Sequence, residues 1–162
     1  MNLENMKKVR DAIAASDHFD MSNWCGTSCC IAGHATILAT GKDTEFMSSS
    51  QVSSIAQEFL DLSSKEASTL FIHGWGSFRS LDQVSKAEVL PKLDGLINGT
   101  LKLPAKDDRD IRREVLNSNE RISYEEAVDK AVELMEADNW GSWYHKETLY
   151  ERARYLLSGL LP

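Results

Sequence analysis

Cys25, Cys29 and Cys30, all the cysteines of the chain, fall with His34 in one ten-residue stretch, Cys25-Gly26-Thr27-Ser28-Cys29-Cys30-Ile31-Ala32-Gly33-His34. A thiol attacks or ligates as a thiolate, and the positive end of a helix favours that form. Thr27 is a natural N-cap for a helix that runs to about Thr40 and stops at Gly41, which places Cys25 just before the first turn as a candidate nucleophile. Such a nucleophile needs a histidine base and a group to orient it. His34 lies too far along the same helix, since nine helical residues rise about 13 Å. His73 or His145 would have to be brought in by the fold, with Asp20 as the orienting carboxylate.

The same stretch offers two four-apart pairs, Cys25 with Cys29 and Cys30 with His34. Each pair shares a helix face and could chelate one ion. Adjacent helical residues point about 100° apart, so one unbroken helix cannot wrap both pairs around a tetrahedral metal. With no second ligand cluster in the sequence, neither a metal site nor a cofactor is expected. A histidine following glycine on an apolar helix also has a plain structural role, as a core or interface residue.

Two glycine-broken aromatic segments echo one another, Trp75-Gly76-Ser77-Phe78 and Trp140-Gly141-Ser142-Trp143. Such aromatics plug the ends of helical bundles, or they line a ligand pocket. On the second reading Trp75, Phe78, Trp140 and Trp143, together with Trp24, Cys30 and His34, form the ligand-contacting set. The sequence contains no Gly-rich phosphate loop, no His-Glu-x-x-His, no Gly-x-Ser-x-Gly and no EF-hand loop.

The elements that must position these residues are helical. Leu3, Met6, Val9 and Ile13 recur at helical spacing in a first helix ending near Ser16. Ser50 can cap a helix carrying Val52, Ile55, Ala56, Phe59 and Leu60. Ser63 with Glu66 makes a capping box ahead of Ala67, Leu70 and Phe71. A helix over Ser85 to Ile97 must tolerate Pro91 by a kink or a late start, and Asn98-Gly99 closes it. Residues 105–121 alternate in charge sign and read as a solvated helix or linker. Ser123 with Glu126 opens a helix with the stripe Tyr124, Ala127, Val128, Ala131, Leu134 and Met135. A last helix places Leu149, Ala153, Leu156, Leu157 and Leu160 on one face. The expected fold is all-α: a compact bundle of about seven helices ending in an αα-hairpin. Residues 1–104 form the helical core and 105–162 the charged connector and hairpin, docked as one domain.

The 162 residues are 42% hydrophobic, enough for a real core. The net charge is −7, with 9 basic and 12 acidic side chains in residues 1–104 and 9 and 13 in 105–162. The acidity is even and leaves no basic stretch, which disfavours nucleic acid as a partner. No apolar run approaches the roughly 20 residues needed to span a bilayer, and no signal segment is visible, so a cytoplasmic protein is expected. The amphipathic C-terminal helices could dock within the chain or across a homodimer.

The spacing Cys25-Gly26-x-x-Cys29 is similar to the start of the nucleophile helix of papain-like peptidases. Those enzymes take their histidine from a β-sheet, for which this chain has no strand series. The longer string Cys25-Gly26-Thr27-Ser28-Cys29-Cys30-Ile31-Ala32-Gly33-His34-Ala35 resembles the Cys-Gly-Thr-x-x-Cys-Ile-Ala-Gly-His-Ala signature of a family of small uncharacterised bacterial and phage proteins. His18-Phe19-Asp20-Met21 and the segment from Leu62 to Trp75 extend the likeness over about residues 17–78. The resemblance implies a shared fold and no particular activity. The expectation is a non-enzymatic binding or interaction protein, phage-encoded, acting on a host factor or a small signalling molecule. The alternative is a cysteine-dependent hydrolase or transferase using Cys25 with a histidine base.

Overall fold

Four of the helices begin with a serine whose hydroxyl takes the amide three residues on, while the side chain at that third position returns to the serine's own amide. These capping boxes are Ser48 with Gln51, Ser63 with Glu66, Ser85 with Glu88 and Ser123 with Glu126. In this computed structural model the structure describes residues 1–23, 29–72, 75, 80–106, 108–117, 122–144 and 146–158. The described residues form eight α-helices and no strand, only a single parallel bridge between Phe19 and Cys29. The all-α expectation holds, with one more helix than anticipated. The backbone divides into two compact units, Met1–Lys102 and Leu103–Pro162.

In the first unit, α1 (Leu3–Ala15) buries Met6, Val9 and Ile13, one stripe at three- and four-residue spacing. Helix α2 (Ile31–Thr40) is apolar almost all round and buries Ile31, Ala32, Gly33, Ala35 and Thr36. It packs against α1, α3 (Ser49–Leu60) and α4 (Ser64–Phe71), which makes it the central helix of the unit. Its one buried hydroxyl, on Thr36, donates to the Val52 carbonyl of α3 at 3.0 Å, so no polar group is stranded at that contact. Gly41 ends α2 with φ 67°, the left-handed conformation that only glycine adopts without strain.

Helix α5 (Lys86–Asn98) packs on α1 and runs through Pro91 without a late start. Pro91 is exposed. Beyond Gly99 the chain folds back so closely that a Cβ at Gly95 would stand 2.9 Å from the Leu101 Cβ. The Leu101 amide donates to the Gly95 carbonyl at 2.9 Å.

In the second unit, α6 (Asp108–Leu116), α7 (Tyr124–Ala137) and α8 (Lys146–Leu157) pack on one another, α7 and α8 forming the expected hairpin. The charged segment before and within α6 departs from a solvated face. The Lys106 amide donates to the Asp138 carboxylate at 2.6 Å, and Asp108 holds a buried arginine, Arg152 of α8. Two starts are corrected as well. Helix α2 is capped by Cys30 and begins at Ile31, not at Thr27, and α3 is capped by Ser48, not Ser50. No described helix is long and apolar enough to cross a membrane.

Candidate functional site

The junction of α1 and α2 carries the described part of the cysteine segment. The Cys30 Sγ accepts the Gly33 amide at 3.5 Å, standing where a serine hydroxyl would ordinarily cap. Two opposing effects act on this thiol. The helix amides of Gly33 and Ala32 favour the thiolate, whereas burial disfavours it more strongly, and the pKa is pushed up to about 11. Cys30 is therefore a neutral structural thiol at physiological pH. Cys29 is buried beside it. The Asp20 carboxylate accepts from both the amide (2.8 Å) and hydroxyl (2.7 Å) of Ser22, closing a local turn. Cys25, His73 and His145, which with Asp20 make the catalytic set expected of the alternative reading, lie outside the described residues, as do Trp24 and Phe78.

His34 sits one turn into α2, its amide bonded to the Cys30 carbonyl at 3.0 Å. Its ring stacks on Phe19 with centroids 6.5 Å apart and planes 12° from parallel. The Nε2 atom is buried and has no hydrogen-bond partner. Burial, and then the positive field of Lys86, lower the imidazole pKa below its ordinary value. Lys86 itself, at the first position of α5, donates to the carbonyls of Ala14 (2.7 Å) and Ser16 (2.6 Å) at the end of α1. Among the described residues no group of three His, Cys, Asp or Glu side chains could hold a metal ion.

Trp75, Trp140 and Trp143, the described aromatic residues of the ligand-contacting set, are buried. Trp75 donates from Nε1 to the Leu70 carbonyl at 2.7 Å, and Lys92 Nζ lies 4.8 Å from its ring centroid. Burial pulls the Lys92 pKa down to about 8, against the opposing pull of Glu88. Trp140 donates to Asp138 at 3.2 Å and stacks on Tyr144. Trp143 is buried nearby in sequence. Arg152, 7% exposed, lies over the rings of Trp140 and Tyr144 and makes two 2.8 Å bonds to the two oxygens of Asp108. The indoles of Trp75 and Trp140 thus fill cores with their N–H groups satisfied.

The residue that sequence reasoning missed is Phe46. It is 93% exposed, far more than any other large apolar side chain among the described residues. The α2–α3 connection that carries it is fixed on both sides. Thr44 is fully buried, Asp43 Oδ1 accepts the Glu45 amide at 3.0 Å, the Met47 amide donates to the Thr44 carbonyl at 3.0 Å, and the Ser48 box follows at once. The available signal was a lone phenylalanine in the polar run Lys42 to Ser50, with no apolar neighbour at helical spacing to share a face. Comparison with protein-family models, curated proteins and solved structures finds no match to this chain.

Proposed function

We propose that the chain is a non-enzymatic binding protein that docks on a partner protein through Phe46. The observation that carries this reading is the near-complete exposure of that ring on a pinned turn. An exposed aromatic ring costs solvation in the free protein, and its burial in a partner's pocket is the most productive kind of interface contact. A turn already held by hydrogen bonds loses little further entropy on binding. Small-molecule sites are concave, whereas Phe46 projects, so a macromolecular partner fits better than a small signalling molecule. Asp43 and Glu45 flank the ring and favour a pocket with a basic rim. The resemblance to small phage and bacterial proteins makes a host protein the natural class of partner.

The test is a photoreactive benzophenone side chain at position 46, expressed in cells and crosslinked, followed by affinity measurement with the purified partner. A single crosslinked protein should lose at least about 30-fold in affinity for Phe46→Ala, the scale of a hot-spot residue. Unchanged affinity for that variant would remove Phe46 from the interface. Loss of function in Cys25→Ser with Phe46→Ala unaffected would favour the thiol-dependent alternative instead.

A further inference from the structure

We infer that His34 is an acid-sensing latch: its protonation sets a second cation beside Lys86 and opens the first turn of α2, uncovering Cys30. The geometry has three parts. The Nε2 atom is buried without a partner, a state the Nδ1–H neutral tautomer tolerates because it leaves only a bare lone pair there. The imidazolium carries N–H groups on both nitrogens, and at Nε2 the new donor would find no acceptor. The ring is fixed against Phe19, so it cannot swing out without breaking that stack. Lys86, finally, is committed to the α1 carbonyls of Ala14 and Ser16 and cannot retreat without uncapping that helix.

The other charged groups around α2 do not offset the new charge. Arg10 of α1 is held by Asp94 and Asp11, and Glu66 of α4 by its own capping box. Glu58 of α3 is exposed. On the α1–α2 connection, Asp20 is engaged by Ser22, and Asp17 and His18 are exposed. Lys86 is the charge whose field His34 feels, and it opposes protonation. A histidine with a lowered folded pKa binds its proton more readily in the opened form. Stability is therefore unaffected above the ordinary value near 6.5 and falls as the pH drops from there toward the lowered value. The amide of His34 and the carbonyl of Cys30 close the same helical turn, so opening at one releases the other.

The test is labelling with 4,4′-dithiodipyridine, which accepts a thiol as a mixed disulfide and releases thiopyridone. Modified Cys30 is quantified by peptide mass spectrometry at pH 7, 6 and 5, as the ratio of wild type to His34→Gln. That ratio should rise on acidification, by up to about tenfold per unit by which the His34 pKa is depressed. In Lys86→Gln the rise should be smaller and level off at higher pH, because without the opposing charge the folded pKa lies closer to the ordinary value. A flat ratio overturns the inference. If His34→Gln does not fold, the imidazole resonance of His34 is followed by NMR in wild-type protein. Titration below the ordinary value, together with loss of protection at the His34 amide, supports the latch. Titration at the ordinary value, or without that loss, overturns it.

Discussion

Each unit places a cation over a tryptophan at nearly the same distance, and the two arrangements behave differently. Lys92 Nζ lies 4.8 Å from the Trp75 ring, and Arg152 Cζ lies 4.8 Å from that of Trp140. The two tryptophans are the first residues of the echoing Trp-Gly-Ser-aromatic segments. Arg152 is locked: Asp108 takes it bidentately, and Tyr144 adds a second ring. A guanidinium keeps its charge at any physiological pH, so its burial is tolerated only with such a partner. Lys92 is an ammonium whose burial is answered by a pKa near 8. A guanidinium held bidentately by a carboxylate becomes a structural strut, while a buried ammonium whose pKa falls near 8 becomes a titrating group.

The largest expected effect comes from breaking the strut. Asp108→Ala leaves Arg152 buried without its carboxylate and should destabilise the second unit by about 3 kcal/mol in urea denaturation. Replacing both members, as Asp108→Leu with Arg152→Met, should recover most of that loss. If the single substitution costs no more than Lys92→Met does in the first unit, the contrast between the two cations is gone. Next is Gly95→Ala, where the new Cβ would meet the Leu101 Cβ at 2.9 Å. About 2 kcal/mol should be lost from the first unit, read by the same measurement. Smaller still, Ser63→Ala and Ser123→Ala should each cost about 1 kcal/mol, one in each unit, because the capping boxes are alike. Unequal costs would show that helix starts, and not only cations, distinguish the units.

The remaining contrast is that of alkaline pH, where the effects run in opposite directions. For Lys92 the folded pKa, about 8, is below the ordinary 10.5, so the unfolded chain holds more protons and the first unit gains stability as pH rises from 8 to 10.5. For Tyr144, burial raises the pKa from 10 to about 12. The unfolded chain loses that proton first, and the second unit loses stability above pH 10. Resolved fluorotryptophan resonances of Trp75 and Trp140, followed through urea at each pH, would separate the two slopes. Lys92→Met should abolish only the first.

Periodicity and capping chemistry made the helices legible, because a serine followed three residues later by glutamate marks a start with little ambiguity. The start of α2 was misplaced for a physical reason: Thr27 is the better capping residue, but the buried thiol of Cys30 occupies the cap. Arg152 and Asp108 were hidden because each charge, taken alone, reads as solvent-facing. Only the packing of α6 on α8 shows that they neutralise one another. Trp75, Trp140 and Trp143 stood out in the sequence, yet their burial depended on tertiary contacts. Phe46 went unnoticed because an isolated phenylalanine breaks no pattern, and its exposure is a property of the folded surface alone. Of the thiol-centred set, the structure describes only Asp20, whose carboxylate serves a turn.

The turn that carries Phe46 is held by Thr44, Asp43 and the start of α3, and the phenyl ring contributes nothing to holding it. On the proposed docking reading, folding and recognition are written in different letters of the same short segment. On that reading selection can exchange the residue at position 46, and with it the identity of the partner, while the helices around it keep their sequence. A protein so divided can follow a changing target through single substitutions without crossing an unfolded intermediate.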